Sequence, residues 1–190
     1  MTRRRAWTLA IVAALVAGCG GATQGAMGSK VFASAGAGPG IPDSAVVRPA
    51  TAGQLLAVVR APGARVVLLN VWATWCAPCR EEFPDMLRIG RELGPRGVRL
   101  VLVSGDIDTE LPAVKRFLDA HGVRFMTYLK QGDDMSFING IDPRWTGALP
   151  ATLLYDGAGQ GLWFHEGKTS YDTLKTRIDL ALAAPGAPAH

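Results

Sequence analysis

The chain has 190 residues, 48% hydrophobic and 19% charged. That suits one globular domain with short flanking segments, large enough to bury a core without staples. Three charges of the net +4 come from Arg3, Arg4 and Arg5. The remainder is close to neutral, with no dense Lys/Arg run and no basic stripe interleaved with aromatics, so nucleic-acid binding is not expected.

The N-terminus reads MTRRRAWTLAIVAALVAGCGG. A basic stretch precedes an apolar run, Ala6 to Ala17, of signal-peptide length and too short to span a bilayer comfortably. The following VAGC resembles the lipobox of bacterial lipoproteins, which implies a signal peptide over 1–18 and a lipid on Cys19. An uncleaved membrane anchor and a non-lipidated signal peptide cut nearby are the alternatives. Residues 19–47, rich in Gly, Ala, Ser and Pro, have no helical or strand period and read as a flexible tether. Residues 183–190 read as a disordered tail. The domain itself is expected over 48–182.

Along that domain the pattern alternates. A short helix opens at Thr51, a suitable N-cap, and stops at Pro62-Gly63. RVVLLNVWA is a β-branched apolar run, suited to a strand buried on both faces. From Ala77 to about Leu93 the period becomes helical, with Phe83 and Leu87 inward. Pro84 lies within it and predicts a kink, and Gly94-Pro95 ends it. GVRLVLVSG is a second buried strand, DTELPAVKRFLDAHG a helix closed by Gly122, and VRFMTYL a third strand. A helical turn and a loop lead to ATLLYDGAGQGLWFHEG, a β-hairpin turning around 156–159. A last helix begins at Ser170. This order, α-β-α-β-α-β-α-β-β-α, predicts an α/β fold: a central mixed sheet, parallel until its terminal hairpin, with helices on both faces.

Apart from Cys19, the only cysteines are Cys76 and Cys79, in WCAPC. A zinc clip needs four ligands, and His121, His165 and His190 are scattered, so no metal site is expected. A purely structural disulfide would close a tiny loop and constrain the unfolded chain little. A redox pair fits better. A CxxC between a buried strand and a helix puts Cys76 at the helix N-terminus, where free N–H groups and the dipole favour a thiolate. Cys76 is then the exposed attacking thiol, and Cys79, one turn on, resolves the mixed disulfide. Pro78 is tolerated in the first turn because its missing N–H has no partner there. It also gives the thiolate no N–H and no charge, which favours a reductant over an oxidant. No cofactor is required.

LLNVWATWCAPCREEFPDM, with GALPATLLYD downstream, resembles the thioredoxin superfamily, and within it the TlpA/ResA-like extracytoplasmic thiol–disulfide oxidoreductases. The resemblance implies a thioredoxin-like fold. It implies that Pro150 is the cis-proline facing the CxxC, with Leu149 before it offering backbone to a substrate strand. It implies that Trp75 walls the cysteines, that Ala77 and Pro78 meet substrate, and that Glu82 is the carboxylate serving Cys79. Glu82 stands at i+3 from Cys79, on the same helical face. Asn70 occupies the place of thioredoxin's buried aspartate and cannot take a proton. Trp145 is a candidate for the substrate groove or the core, and His165 is read as a surface or satisfied histidine.

The implied function is a membrane-tethered reductase of protein disulfides, with apocytochrome c a candidate substrate, a membrane electron donor to re-reduce it, and a monomeric state. Gly20 after Cys19 leans the location toward the outer membrane. An oxidase or isomerase on the same fold and a non-catalytic thioredoxin-like binding module are the alternatives. A peroxiredoxin-type peroxidase would want Thr where Ala73 stands, and a copper carrier would space its cysteines more widely.

Overall fold

The computed structural model describes residues 44–184. The expected signal peptide, Cys19, the tether as far as residue 43 and the tail from residue 185 lie outside them. Six strands form one sheet: β1 (Val46–Ala50), β2 (Val66–Trp72), β3 (Val98–Ser104), β4 (Met126–Lys130), β5 (Ala151–Asp156) and β6 (Gly161–Glu166). The helices are α1 (Ala52–Val59), α2 (Ala77–Leu93), α3 (Leu111–Ala120), α4 (Asp134–Ile141) and α5 (Tyr171–Ala183). Strand order is β1-β4-β3-β2-β5-β6. The pairs β1/β4, β4/β3 and β3/β2 are parallel; β2/β5 and β5/β6 are antiparallel. This is the mixed sheet with a terminal hairpin that the sequence predicts.

All seven residues of β2 are buried, and their alternation divides two cores. Val66, Leu68 and Trp72 pack with Phe83 and Met86 of α2, Val114 and Leu118 of α3, and Leu174 and Ile178 of α5. Val67, Leu69 and Val71 pack with Leu55 and Val59 of α1 and Phe137 and Ile141 of α4. Helices therefore cover both faces, which is why the strand reads as a continuous apolar run.

Local signals set the boundaries. Thr51 accepts from the Gln54 backbone N–H, and the Gln54 side chain accepts in return from the Thr51 N–H at 2.9 Å, a capping box. Ser170 caps α5 through the Thr173 N–H. Asp156 Oδ1 holds the hairpin turn by accepting from Ala158 and Gln160 N–H at 2.9 and 2.8 Å. Gly122 closes α3 with φ +69°. Helix α2 continues without interruption across Pro84.

Two elements depart from expectation. Strand β1 starts at Val46, ahead of the residue 48 boundary, so the chain enters the domain through a strand. Its VVRPA sequence contains Pro49, a residue confined to strand edges, and β1 pairs only with β4. Its support is wholly non-local. The expected helical turn after β4 is also a two-turn helix, capped by Asp133 through the Ser136 N–H at 2.9 Å.

Helices α1 and α4 meet closely: a Cβ added at Gly140 would lie 2.7 Å from Ala52 Cβ. Gly140→Ala is therefore expected to destabilise the protein by about 1–3 kcal/mol through overpacking, although alanine is the better helix former by about 1 kcal/mol. Chemical denaturation checks this; an unchanged or raised midpoint would show that the two helices separate freely.

Candidate active site

Cys76 is the N-cap of α2, and its Sγ accepts from the Cys79 N–H at 3.2 Å. The two sulfurs form a disulfide, with the Cα atoms 5.3 Å apart. Cys76 is more enclosed than the sequence suggests. Cys79 is 1% exposed and Cys76 only 5%, so the Cys76 sulfur is not openly exposed in the oxidised protein. The apolar core that takes in Trp72 and Phe83 also takes in both cysteines. Ala77 and Pro78 are exposed on the first turn of α2.

Trp75 is 68% exposed, which rules out a packing role in the core. It lines an open cleft of about 560 Å³ with Thr74, Gly105, Ile107, Glu110, Lys130 and Asp134. It also lines a smaller one of about 150 Å³ whose wall includes Val71, Trp145 and Leu149. The structure thus brings Trp75 and Leu149 together. The Leu149–Pro150 peptide bond is cis. Pro150 precedes Ala151, which pairs with Val71, so it stands at the end of the sheet where β2 delivers the CxxC. Its carbonyl accepts from the Gly167 N–H at 2.8 Å. Trp145 is mostly core: it is buried, packs edge-on to Phe137 and donates from Nε1 to the Ala148 carbonyl. His165 is half-buried, stacks on Trp163 and contacts the Lys168 carbonyl, a satisfied histidine.

Glu82 is 1% exposed. Its Oε1 accepts from Asn70 Nδ2 at 3.0 Å, and its Oε2 from the Thr169 N–H at 2.8 Å. Asn70 Nδ2 also donates to Thr152 Oγ1 at 3.1 Å, across the β2–β5 pair. Burial pushes the carboxyl up to about 7, and the Thr169 and Asn70 hydrogen bonds and the nearby Lys168 charge only partly offset it. Asp85 nearby adds to the rise. A carboxyl titrating there, three residues beyond Cys79 on one helix, can exchange a proton at neutral pH. Glu81 is different: it is exposed and pairs with Lys168 at 2.5 Å, which lowers its carboxyl.

Two residues of this site gave no signal of their own. Asp106, 1% exposed, accepts from the Thr74 N–H and Ser104 Oγ, and its other oxygen meets Thr74 Oγ1. Thr74 and Asp106 are 32 residues apart, and only the β2–β3 pairing joins them.

The raised Glu82 carboxyl has a consequence for stability. The folded protein holds this proton up to about pH 7, whereas the unfolded chain releases it in the ordinary carboxylate range. Between those limits the folded state binds more protons, so this group makes stability fall as pH rises. Oxidised wild-type protein should lose stability from about pH 5 to about pH 8, and Glu82→Gln should flatten that slope. Denaturation across this range checks the sign; a wild-type slope equal to that of Glu82→Gln would show that Glu82 titrates normally.

Residues 42–160 match the AhpC/TSA family model. The thiol-disulfide oxidoreductase ResA of Halalkalibacterium halodurans is 34% identical over 114 residues, 60% of this chain and 61% of that protein. The thiol:disulfide interchange protein HelX of Rhodobacter capsulatus is 32% identical over 120 residues, 63% of this chain and 62% of its own length. For other curated relatives, such as ResA of Bacillus anthracis, the chain spans about half of their length. Among solved structures, a thiol:disulfide interchange protein DsbE of Chlorobium tepidum superposes with a TM-score of 0.55 at 28% identity, covering 67% of this chain and 85% of that one. A thioredoxin family protein of the same organism gives 0.55 at 24%, the same fold. With a thioredoxin-like fold and a CxxC disulfide at the head of α2, the chain belongs to the AhpC/TSA family.

Proposed function

We propose that this protein is a membrane-tethered, extracytoplasmic thiol–disulfide oxidoreductase that reduces disulfides in other proteins. The observation that carries the reading is Cys76 at the N-cap of α2, its sulfur accepting the Cys79 N–H. An amide donor and the helix dipole at that point stabilise a thiolate once the pair is reduced.

The reaction balances within the pair. The Cys76 thiolate attacks a substrate disulfide and expels one substrate thiolate, leaving a mixed disulfide. Cys79 gives its proton to Glu82 and attacks Cys76 Sγ. The Cys76–Cys79 disulfide forms, and the second substrate sulfur leaves and takes up a proton. The substrate gains two electrons and the pair loses two. A membrane electron donor then restores the dithiol. Trp75, Ala77 and Pro78 meet the substrate, and Leu149 offers backbone beside Pro150. Apocytochrome c is the candidate substrate that the resemblance to the TlpA/ResA branch implies. The N-terminal segment supports a lipid on Cys19 and a periplasmic location, leaning to the outer membrane.

Pro78 supplies no donor or charge to the thiolate, so the pair should be reducing, roughly −200 to −300 mV. Equilibration with glutathione and dithiothreitol buffers measures this. A potential above about −150 mV, toward the strong oxidants, would overturn the reductase assignment. Glu82→Gln should slow resolution of the Cys76 mixed disulfide on the order of a hundredfold, while Glu81→Gln leaves it unchanged; equal effects would deny Glu82 the proton. The fold should tolerate Glu82→Gln, because the Asn70 amide can turn over and accept from the new NH₂ group. For the tether, Cys19→Ala should move the protein from the membrane to the soluble fraction.

A further inference from the structure

We infer that Asp106, acting through Thr74, is a positioning residue for the redox pair: it fixes the turn after β2 that aims Cys76 at the head of α2. The inference rests on the oxidoreductase reading above.

Asp106 is buried, and three donors converge on it. Oδ2 accepts from the Thr74 N–H at 2.9 Å and from Ser104 Oγ at 2.6 Å. Oδ1 lies 2.5 Å from Thr74 Oγ1. The Asp106 N–H donates back to Ser104 Oγ at 3.1 Å. A buried carboxylate is costly unless its oxygens are met, so its presence here asks for a task. Among the described residues it joins no ion pair. It caps no helix either: the 3-10 turn Asp108–Glu110 begins at Ile107 with no side-chain bond. What Asp106 does hold is Thr74.

Thr74 lies two residues before Cys76, and the turn between them is fixed at each step. The Gly105 N–H donates to the Trp72 carbonyl at 2.7 Å, Asp106 takes Thr74 from both main chain and side chain, and the Cys76 N–H donates to the Ala73 carbonyl at 3.2 Å. The next bond along the chain is the Cys79 N–H to Cys76 Sγ, also 3.2 Å. That donor stabilises the reactive sulfur only while the sulfur stays within hydrogen-bond range. Trp75 rides on the same turn. The clamp therefore sets the thiolate's donor and the wall of the cleft together.

Side-chain changes separate the clamp from the charge. Thr74→Val puts a methyl where Oγ1 sits, and a methyl cannot approach a carboxylate oxygen to 2.5 Å, so the turn must shift. Thr74→Ser keeps the hydroxyl. Asp106→Asn removes the charge but keeps the clamp: its carbonyl can accept from the Thr74 N–H and Ser104 Oγ while its NH₂ donates to Thr74 Oγ1.

The test follows alkylation of Cys76 by iodoacetamide in the reduced full-length protein at pH 7, with peptide masses separating the three cysteines. Thr74→Val is expected to slow the reaction about tenfold, the scale of one charge-assisted hydrogen bond. Thr74→Ser and Asp106→Asn are expected to react as wild type does. Thermal midpoints establish that each variant is folded. A folded Thr74→Val protein reacting at the wild-type rate overturns the proposal. So does an Asp106→Asn protein as slow as Thr74→Val, because the charge and not the clamp would then govern. A wild-type Cys76–Cys79 pair that does not exchange electrons with glutathione or dithiothreitol buffers overturns the oxidoreductase reading itself, and this inference with it.

Discussion

Glu82 carries a carboxylate into the core at the junction of three elements, and both of its oxygens are bonded there. One oxygen takes Asn70 from β2 and the other takes the Thr169 backbone from the loop between β6 and α5. Desolvation still outweighs these bonds, since the carboxyl is pushed up to about 7. The buried charge therefore opposes stability at neutral pH, and what it supplies is geometry. It is also the middle of three carboxylates by which α2 grips the same loop. Glu81 pairs with Lys168, and Asp85 accepts from the Tyr171 N–H at 3.1 Å, the first residue of α5. The surface pair contributes little by itself. The two carboxylates that bond backbone N–H groups meet the main chain at and beside the head of α5, where donors would otherwise lack partners. That loop also bonds the Pro150 carbonyl through Gly167. The helix that begins at Cys76 is thus fixed relative to the strand that begins after Pro150.

The sheet topology explains why the chemistry gathers at one end. Parallel strands β2, β3 and β4 all finish on the same edge, and the loops beyond their C-termini are the natural place for a crevice. Those loops supply Trp75 and Cys76, and Gly105 and Asp106, while the last residue of β4, Lys130, and the first of α4, Asp134, line the same end. Strand β5 is antiparallel, so it starts on the edge where its neighbours end, which brings Leu149 and Pro150 to the same crevice. A parallel β5 would have carried them to the far side.

Much of this was legible in the sequence because it is local. The seven-residue apolar run of β2, the Thr51 and Ser170 caps and the turn at Asp156 each carry their own cue. Cys76 at a helix head follows from the apolar strand before it and the charged helix after it. Strand β1 was not legible, because Pro49 masks a five-residue strand whose only support is the distant β4. The enclosure of Cys76 was not legible either: it depends on the tertiary core cluster that takes in both cysteines, not on WCAPC. The Thr74–Asp106 clamp and the Asn70–Thr152 contact depend on strand register, which composition and periodicity leave open. Glu82 was visible as a helical position, whereas its burial depends on where α5 docks.

Register also gives Asn70 a role that its chemistry fits. A group beside a carboxyl that gains and loses a proton must be a donor in one state and an acceptor in the other. An aspartate in that place would add a second charge and would compete for the proton. A leucine would leave Oε1 bare. An amide offers both faces on a half turn of one side-chain torsion: NH₂ toward the ionised carboxylate, carbonyl toward the protonated acid. Thr152 opposite can follow, since its hydroxyl accepts from the NH₂ in the first arrangement and donates to the carbonyl in the second. The Thr152–Asn70–Glu82 chain can therefore remain hydrogen-bonded in both protonation states. In the proposed mechanism, the amide that cannot itself take the proton would let Glu82 change its protonation state without leaving a buried polar group unmet.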